Sequence, residues 1–245
     1  MKRFILSILL ICIVFSSCDR KSIHYNGPDI INIVLQEEYN IKATSRDPIQ
    51  YHSDDEMFVT VSDNGVIFGK NVGEANVKLS NTENELNIPV IVNLFEEPTL
   101  NFYCDQSYIE NLYGTPRFKN DSILIYGSGN EWFSYAVWEM DFFFINNKYI
   151  ESNLYIRNEL DIRIDEFLKE NYSFKGNITD TINNEIKTYE IYLNNDNAED
   201  ASVLVGKLIN AGPYNDVCLF YIPYKHSRGS DYKDIICRDR KRMKN

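Results

Sequence analysis

Basic charge is what this chain has too little of. Its 25 Lys and Arg residues face 36 Asp and Glu, for a formal net charge of -11. Such a field repels phosphate backbones and argues against nucleic acid as a partner. Histidine is scarce too: His24, His52 and His226 lie far apart in the sequence, so no His-ligated metal site and no other cofactor is expected. No Gly-Xaa-Ser-Xaa-Gly elbow, phosphate loop or dinucleotide fingerprint occurs. The chain is therefore read as noncatalytic, with no residue given a catalytic role. Carboxylate neighbours such as Glu37-Glu38 and Asp54-Asp55 read as solvated loop charge. The oxygen-rich stretch Asn194 to Asp200 lacks the glycine and spacing of an EF-hand and reads as a polar hairpin loop. Long apolar runs are also missing. Phe4 to Phe15 spans about a dozen residues, against the roughly 20 of a membrane-crossing helix.

What is present begins with that short run. Met1-Lys2-Arg3 is basic, Phe4 to Phe15 is apolar, and Phe15-Ser16-Ser17-Cys18 sets two small residues before a cysteine. The segment resembles the lipobox of bacterial lipoprotein signals, with Phe15 where Leu is common. The resemblance implies a diacylglycerol on the Cys18 thiol, cleavage before it, and a membrane partner reached through that anchor. Residues 1–18 are then the signal and 19–29 a polar tether. Loss of Lys2 and Arg3 leaves 23 basic against 36 acidic residues, a net charge of about -13. Of the five cysteines, Cys12 leaves and Cys18 is lipidated. Cys104 and Cys218 sit in apolar contexts as core residues, and Cys237 either pairs with one of them or stays a thiol.

From Ile30 the pattern is β. Phe58-Val59-Thr60-Val61-Ser62 and Val66-Ile67-Phe68 flank Asp63-Asn64-Gly65, a tight-turn sequence, and predict a hairpin. Ala75, Val77 and Leu79 alternate with polar residues, and Leu86 to Val92 closes the set, Pro89 pointing to an edge strand or a bulge. The run from Val59 through Gly69, then Val72-Gly73-Glu74-Ala75-Asn76-Val77, resembles the bacterial Ig-like domain, group 2. The resemblance covers residues 30–95 and implies a small β-sandwich used as a spacer or adhesive module.

Glu96-Glu97-Pro98-Thr99 reads as a linker, and residues 99–224 as an α+β domain. A helix is expected over Gln106 to Tyr113, N-capped by Asp105, and a second over Asp161 to Tyr172. Strands are expected at Ser122 to Tyr126, Phe133 to Ile145 and Tyr149 to Ile156, the last two joined by Asn146-Asn147. Three more are expected at Ile186 to Leu193, Ser202 to Ile209 and Val217 to Tyr221. The halves align through a shared Phe-Lys, Phe118-Lys119 against Phe174-Lys175, and read as a helix-β-β-β duplication. That order resembles the α+β fold of the β-lactamase inhibitor protein and of small outer-membrane assembly lipoproteins, and implies a protein-binding sheet.

Aromatic residues crowd one hairpin, and Trp132, Tyr135 and Trp138 are the candidate ligand-binding residues, as stacking platforms for sugars or protein anchors. Residues 225–245 reverse the charge, with eight Lys and Arg against three Asp. This tail is a solubilising end, or a contact for the acidic body or for anionic envelope lipid or polysaccharide. Richness in Asn, Ile, Tyr and Lys, with the lipobox and Ig-like module, resembles lipoproteins of gut Bacteroidota. In that group Asp-Ser/Thr-aliphatic sequences are O-glycosylated, which implies candidate sites at Ser122 and Thr181. The expectation is a two-domain envelope lipoprotein, in the outer membrane with its face open. It binds a glycan or an envelope protein; the alternative is a periplasmic assembly or inhibitor-like component.

Overall fold

The structure, a computed structural model, describes residues 22–127, 133–182, 185–211 and 216–225. They fall into two compact units divided between Asn93 and Leu94.

Among the described residues the first unit holds nine strands: β1 (His24–Tyr25), β2 (Ile31–Val34), β3 (Glu38–Asn40), β4 (Ala43–Thr44), β5 (Gln50–Ser53), β6 (Val59–Val61), β7 (Val66–Gly69), β8 (Gly73–Ser80) and β9 (Glu85–Asn93). They form a four-stranded sheet β2-β9-β8-β5, a three-stranded sheet β3-β7-β6 and a small β1-β4 pair. Ile31, Ile33, Val77, Leu79 and Val90 from the larger sheet share one buried cluster with Val59 and Ile67 from the smaller. The unit is thus a β-sandwich, its strands alternating inward apolar and outward polar residues. The β6-β7 hairpin forms where Asp63-Asn64-Gly65 turns, with Gly65 at φ +77° and Ser62 and Val66 bonded across the turn. Pro89 differs from the edge expectation, because β9 lies between β2 and β8. The proline is tolerated because pairing with β2 begins one residue later, at Val90.

The second unit is mainly β, with two helices, α1 (Gln106–Tyr113) and α2 (Asp161–Asn171), and a short 3-10 turn at Asn158–Leu160. Its strands are β10 (Phe118–Lys119), β11 (Ile123–Gly127), β12 (Val137–Ile145), β13 (Lys148–Ile156), β14 (Ser173–Ile182), β15 (Glu185–Leu193), β16 (Val203–Ala211) and β17 (Asp216–Pro223). They make one antiparallel sheet in the order β10-β11-β12-β13-β17-β16-β15-β14. Each helix therefore precedes four strands, and the two runs meet at β13 and β17. The expectation of three strands per helix omits β10 and β14; β14 is rich in Gly, Asn, Thr and Asp and sits at the sheet edge, so it carries little apolar signal.

The Asp105 carbonyl accepts from the Tyr108 N–H at the start of α1, but its side chain does not cap the helix and instead pairs with Lys148 at 2.8 Å. Gly114 ends the helix at φ +79°, its N–H donating to the Glu110 carbonyl. Asn146 and Asn147, both at positive φ, turn β12 into β13 as expected. The segment read as a linker belongs to the second unit, where Leu94 and Phe95 are buried and Phe95 packs on Phe167 at 4.8 Å. The Tyr172 hydroxyl donates to Glu97.

Both helices pack on one side of the sheet. The Tyr113 ring of α1 lies 5.1 Å from Phe142 of β12. On α2, Asp161 and Asp165 bind Lys207 of β16, the Asp161 contact at 2.6 Å. Burial works to lower the Lys207 pKa, but the hydrogen bonds that its ammonium donates to the two aspartates prevail and raise it.

Candidate functional site

The candidate aromatic residues separate in the structure. Tyr135 is 42% exposed just before β12, where its ring meets the Arg157 guanidinium at 4.9 Å from the centroid. Arg157 Nε donates to the Tyr135 carbonyl at 2.6 Å, and the Arg157 N–H donates to Ala136 at 3.1 Å. The strand end β13 and the approach to β12 thus clamp one aromatic ring open to solvent, with a cation stacked on it. Arg157 Nη1 also lies 3.4 Å from Glu159. Ring, guanidinium and carboxylate make a polar aromatic ledge, of the kind suited to sugar hydroxyls or a protein loop.

Trp138 does not join that ledge. It is 6% exposed and packs 5.4 Å from Tyr155. The physical reason is a register shift between Val137 and Glu139, which breaks the simple alternation of β12 and turns the indole inward. Trp132 lies outside the described residues, as do Cys18, Cys237 and His226.

Ser122 is exposed, its N–H bonded to Asn120 at 2.8 Å, and Thr181 is exposed near the end of β14. Cys218 is buried in β17, and burial raises the thiol pKa of Cys104. Neither is in a disulfide with another described residue. His24 and His52 are exposed strand residues in the first unit. Among the described residues no group of three or more His, Cys, Asp or Glu side chains is arranged to hold a metal ion. The loop 194–202 spends its oxygens internally: Asn194 accepts from Ser202 at 2.9 Å, and Asn197 donates to Asp200 at 2.8 Å.

A feature absent from the sequence reading lies on the sheet side away from the helices. Because Phe142 faces α1, its neighbour Asp141 faces the other way. Asp141 is 5% exposed and Glu151 3%. Burial, then the charges of Glu139 and Glu151, push the Asp141 carboxyl up to about 8. The signal available in sequence was a pair of carboxylates two residues apart, Glu139 and Asp141, inside an otherwise apolar strand. A further exposed set, Tyr108 and Leu112, lies one turn apart on α1.

No helix among the described residues is long and apolar enough to cross a membrane. No family model matches the sequence, and no curated protein does. Among solved structures, domains 5–6 of the S-layer protein SbsC are similar at 9% identity, with 84% of this chain and 98% of that one covered and a TM-score of 0.28. Human protocadherin-24 EC1-2 is similar at 11% identity, covering 85% of this chain and 100% of that one, with a TM-score of 0.27. Extracellular domains 3–5 of Drosophila OTK are similar at 12% identity, covering 84% and 62%, with a TM-score of 0.26. Likenesses at this level carry no argument, and the sandwich description of the first unit rests on its own pairing and core.

Proposed function

We propose that this protein is a noncatalytic binding or adhesion protein of the cell envelope, lipid-anchored through Cys18 and held at the outer membrane. In this reading residues 30–95 are a bacterial Ig-like spacer of group 2, and residues 99–224 an α+β domain that meets a glycan or an envelope protein. The observation that carries the reading is the Tyr135 ring held open by Arg157. An exposed ring costs solvation, and a stacked guanidinium with a carbonyl hydrogen bond holds it in one orientation before any ligand arrives. The test is retention on envelope polysaccharide by the full chain and by Tyr135→Ala. Loss of retention with an unchanged melting temperature supports the reading; equal retention refutes it. Ser122 and Thr181 are proposed O-glycosylation sites in the same compartment, checked by the masses of their peptides from the native host.

A second reading rests on the strand order. A helix followed by four strands occurs twice, with the runs meeting at β13 and β17, and this order supports reading a duplicated helix-strand module. It favours a periplasmic assembly or inhibitor-like component that binds protein. Protease treatment of intact cells carrying a tag in the second unit separates the readings: loss of the tag favours surface binding, and protection until lysis favours the periplasmic role.

A further inference from the structure

Lys207 stands in the middle of β16, paired in register with Glu190 on β15 and Leu219 on β17. Its side chain is 1% exposed, so the amine has no open path to water. The helix α2 holds its place through the buried Ile164 and Leu168. Asp161 and Asp165 are one turn apart on that helix and so share a face, and both carboxylates reach the amine. Lys207 Nζ stands 2.6 Å from Asp161 Oδ1 and donates a hydrogen bond to Asp165 Oδ1. Glu190 Oε2 is a third carboxyl oxygen at 4.0 Å, and it accepts from the Tyr192 hydroxyl at 3.0 Å.

Compensating the charge of one lysine takes a single carboxylate, and this lysine meets three. A primary amine locked against one carboxyl group, with a second carboxylate hydrogen-bonded to the same nitrogen, is also the set that amide formation requires: a nucleophile, an acyl carbon and a proton relay. A nitrogen in contact with a carboxylate oxygen lies within about 3.5 Å of the carboxyl carbon, the distance of a near-attack arrangement. We propose that Lys207 and Asp161 condense into an intramolecular amide that ties β16 to α2, with Asp165 as the proton relay.

The step needs no co-reactant. Lys207 hands one ammonium proton to Asp165, and the lone pair so freed attacks Asp161 Cγ. The C–N bond forms and one C–O bond breaks. That oxygen leaves as water with two of the three ammonium protons, one of them returned by Asp165, and the third proton stays on the amide nitrogen. Nothing is oxidised or reduced. Two features favour the amide here over the separate ions. Groups held in place react at effective molarities on the order of 10⁵ M, and the amide removes an ion pair whose desolvation is costly. The two aspartates keep the amine charged, so its neutral, nucleophilic form is scarce and the reaction is slow. A freshly folded chain holds the ion pair, and the amide accumulates as the folded chain ages.

Peptide mass analysis of the full chain tests this directly, after the folded protein has aged at neutral pH and has then been unfolded and digested with trypsin. An acylated Lys207 is no longer a cleavage site. Residues 188–225 then stay in one peptide, joined through Asp161 to peptide 158–163, and the pair is lighter by one water than the sum of its parts. A sample aged in denaturant, where the three side chains are apart, yields peptides 158–163, 188–207 and 208–225 separately. The same separate peptides from the folded, aged chain overturn the proposal, and so does a bridge that fragment spectra place on Asp165 or Glu190. Asp165→Asn, which keeps the side-chain volume and leaves Lys207 and Asp161 in place, tests the relay. With the amide NMR spectrum of α2 and β16 otherwise retained, the bridge forms about a hundredfold more slowly in this variant; an unchanged rate overturns the role given to Asp165.

Discussion

The two units bury different things. In the first, aliphatic side chains make up the shared core, and Ser53 is the one buried polar residue among those described. In the second, Gln106, Asp141, Glu151, Ser152, Lys207 and Asp216 are all buried beside the apolar core. Hydrophobic burial alone is enough to hold a small sandwich. Buried charge must be compensated residue by residue, and it collects where a surface has something to bind or to position. Among the described residues, the buried charge that needs such compensation is concentrated in the second unit.

The sharpest way to break this contrast is at Lys207, 2% exposed and bound by Asp161 and Asp165. Lys207→Ala removes one partner of a buried ion pair. Because the aspartates keep about a third of their side-chain exposure, the loss falls at the lower end of the usual range, about 3 kcal/mol by chemical denaturation. Replacing Lys207 with Met and both aspartates with Asn together recovers most of that loss. In the first unit Gly65→Ala is the larger perturbation. A Cβ there meets the Tyr51 ring at 2.8 Å, on a backbone at φ +77°, and the expected cost is about 2 kcal/mol. Ile67→Val, which only trims the aliphatic core, costs about 1 kcal/mol.

The smallest effect concerns pH. Burial raises the carboxyl pKa of Glu97 above its ordinary 4.5, against the hydrogen bond that the Tyr172 hydroxyl donates to it. The folded unit then holds a proton that the unfolded chain has released, so stability falls as pH rises from about 4.5 through the raised value, and the term is absent below 4.5. Glu97→Gln removes that slope in the second unit, and the first unit's melting keeps its own pH profile.

How much of this was legible in the sequence follows from the same contrast. The β6-β7 hairpin is readable because β-branched runs flank an Asn-Gly turn. The α1 boundaries are readable because apolar spacing ends at Gly114. The inward turn of Trp138 is not readable, because a register shift after Val137 moves the side chain to a face that strict alternation does not assign. β14 escapes because its residues are polar and its pairing comes from β15 alone. Tyr135 is readable as a candidate, but its exposure depends on Arg157, which lies 22 residues away and enters only through the fold. The buried Asp141 requires knowing that both helices share one side of the sheet.

The division of labour is tested most directly by retention on isolated envelope polysaccharide of two full-length variants, Tyr135→Ala in the second unit and Met57→Ser on the exposed surface of the first. Both are expected to melt within about 0.5 kcal/mol of the parent. The account predicts that Tyr135→Ala loses retention and Met57→Ser keeps it. Retention lost through Met57 and kept without Tyr135 would contradict it, and would place the binding surface on the sandwich.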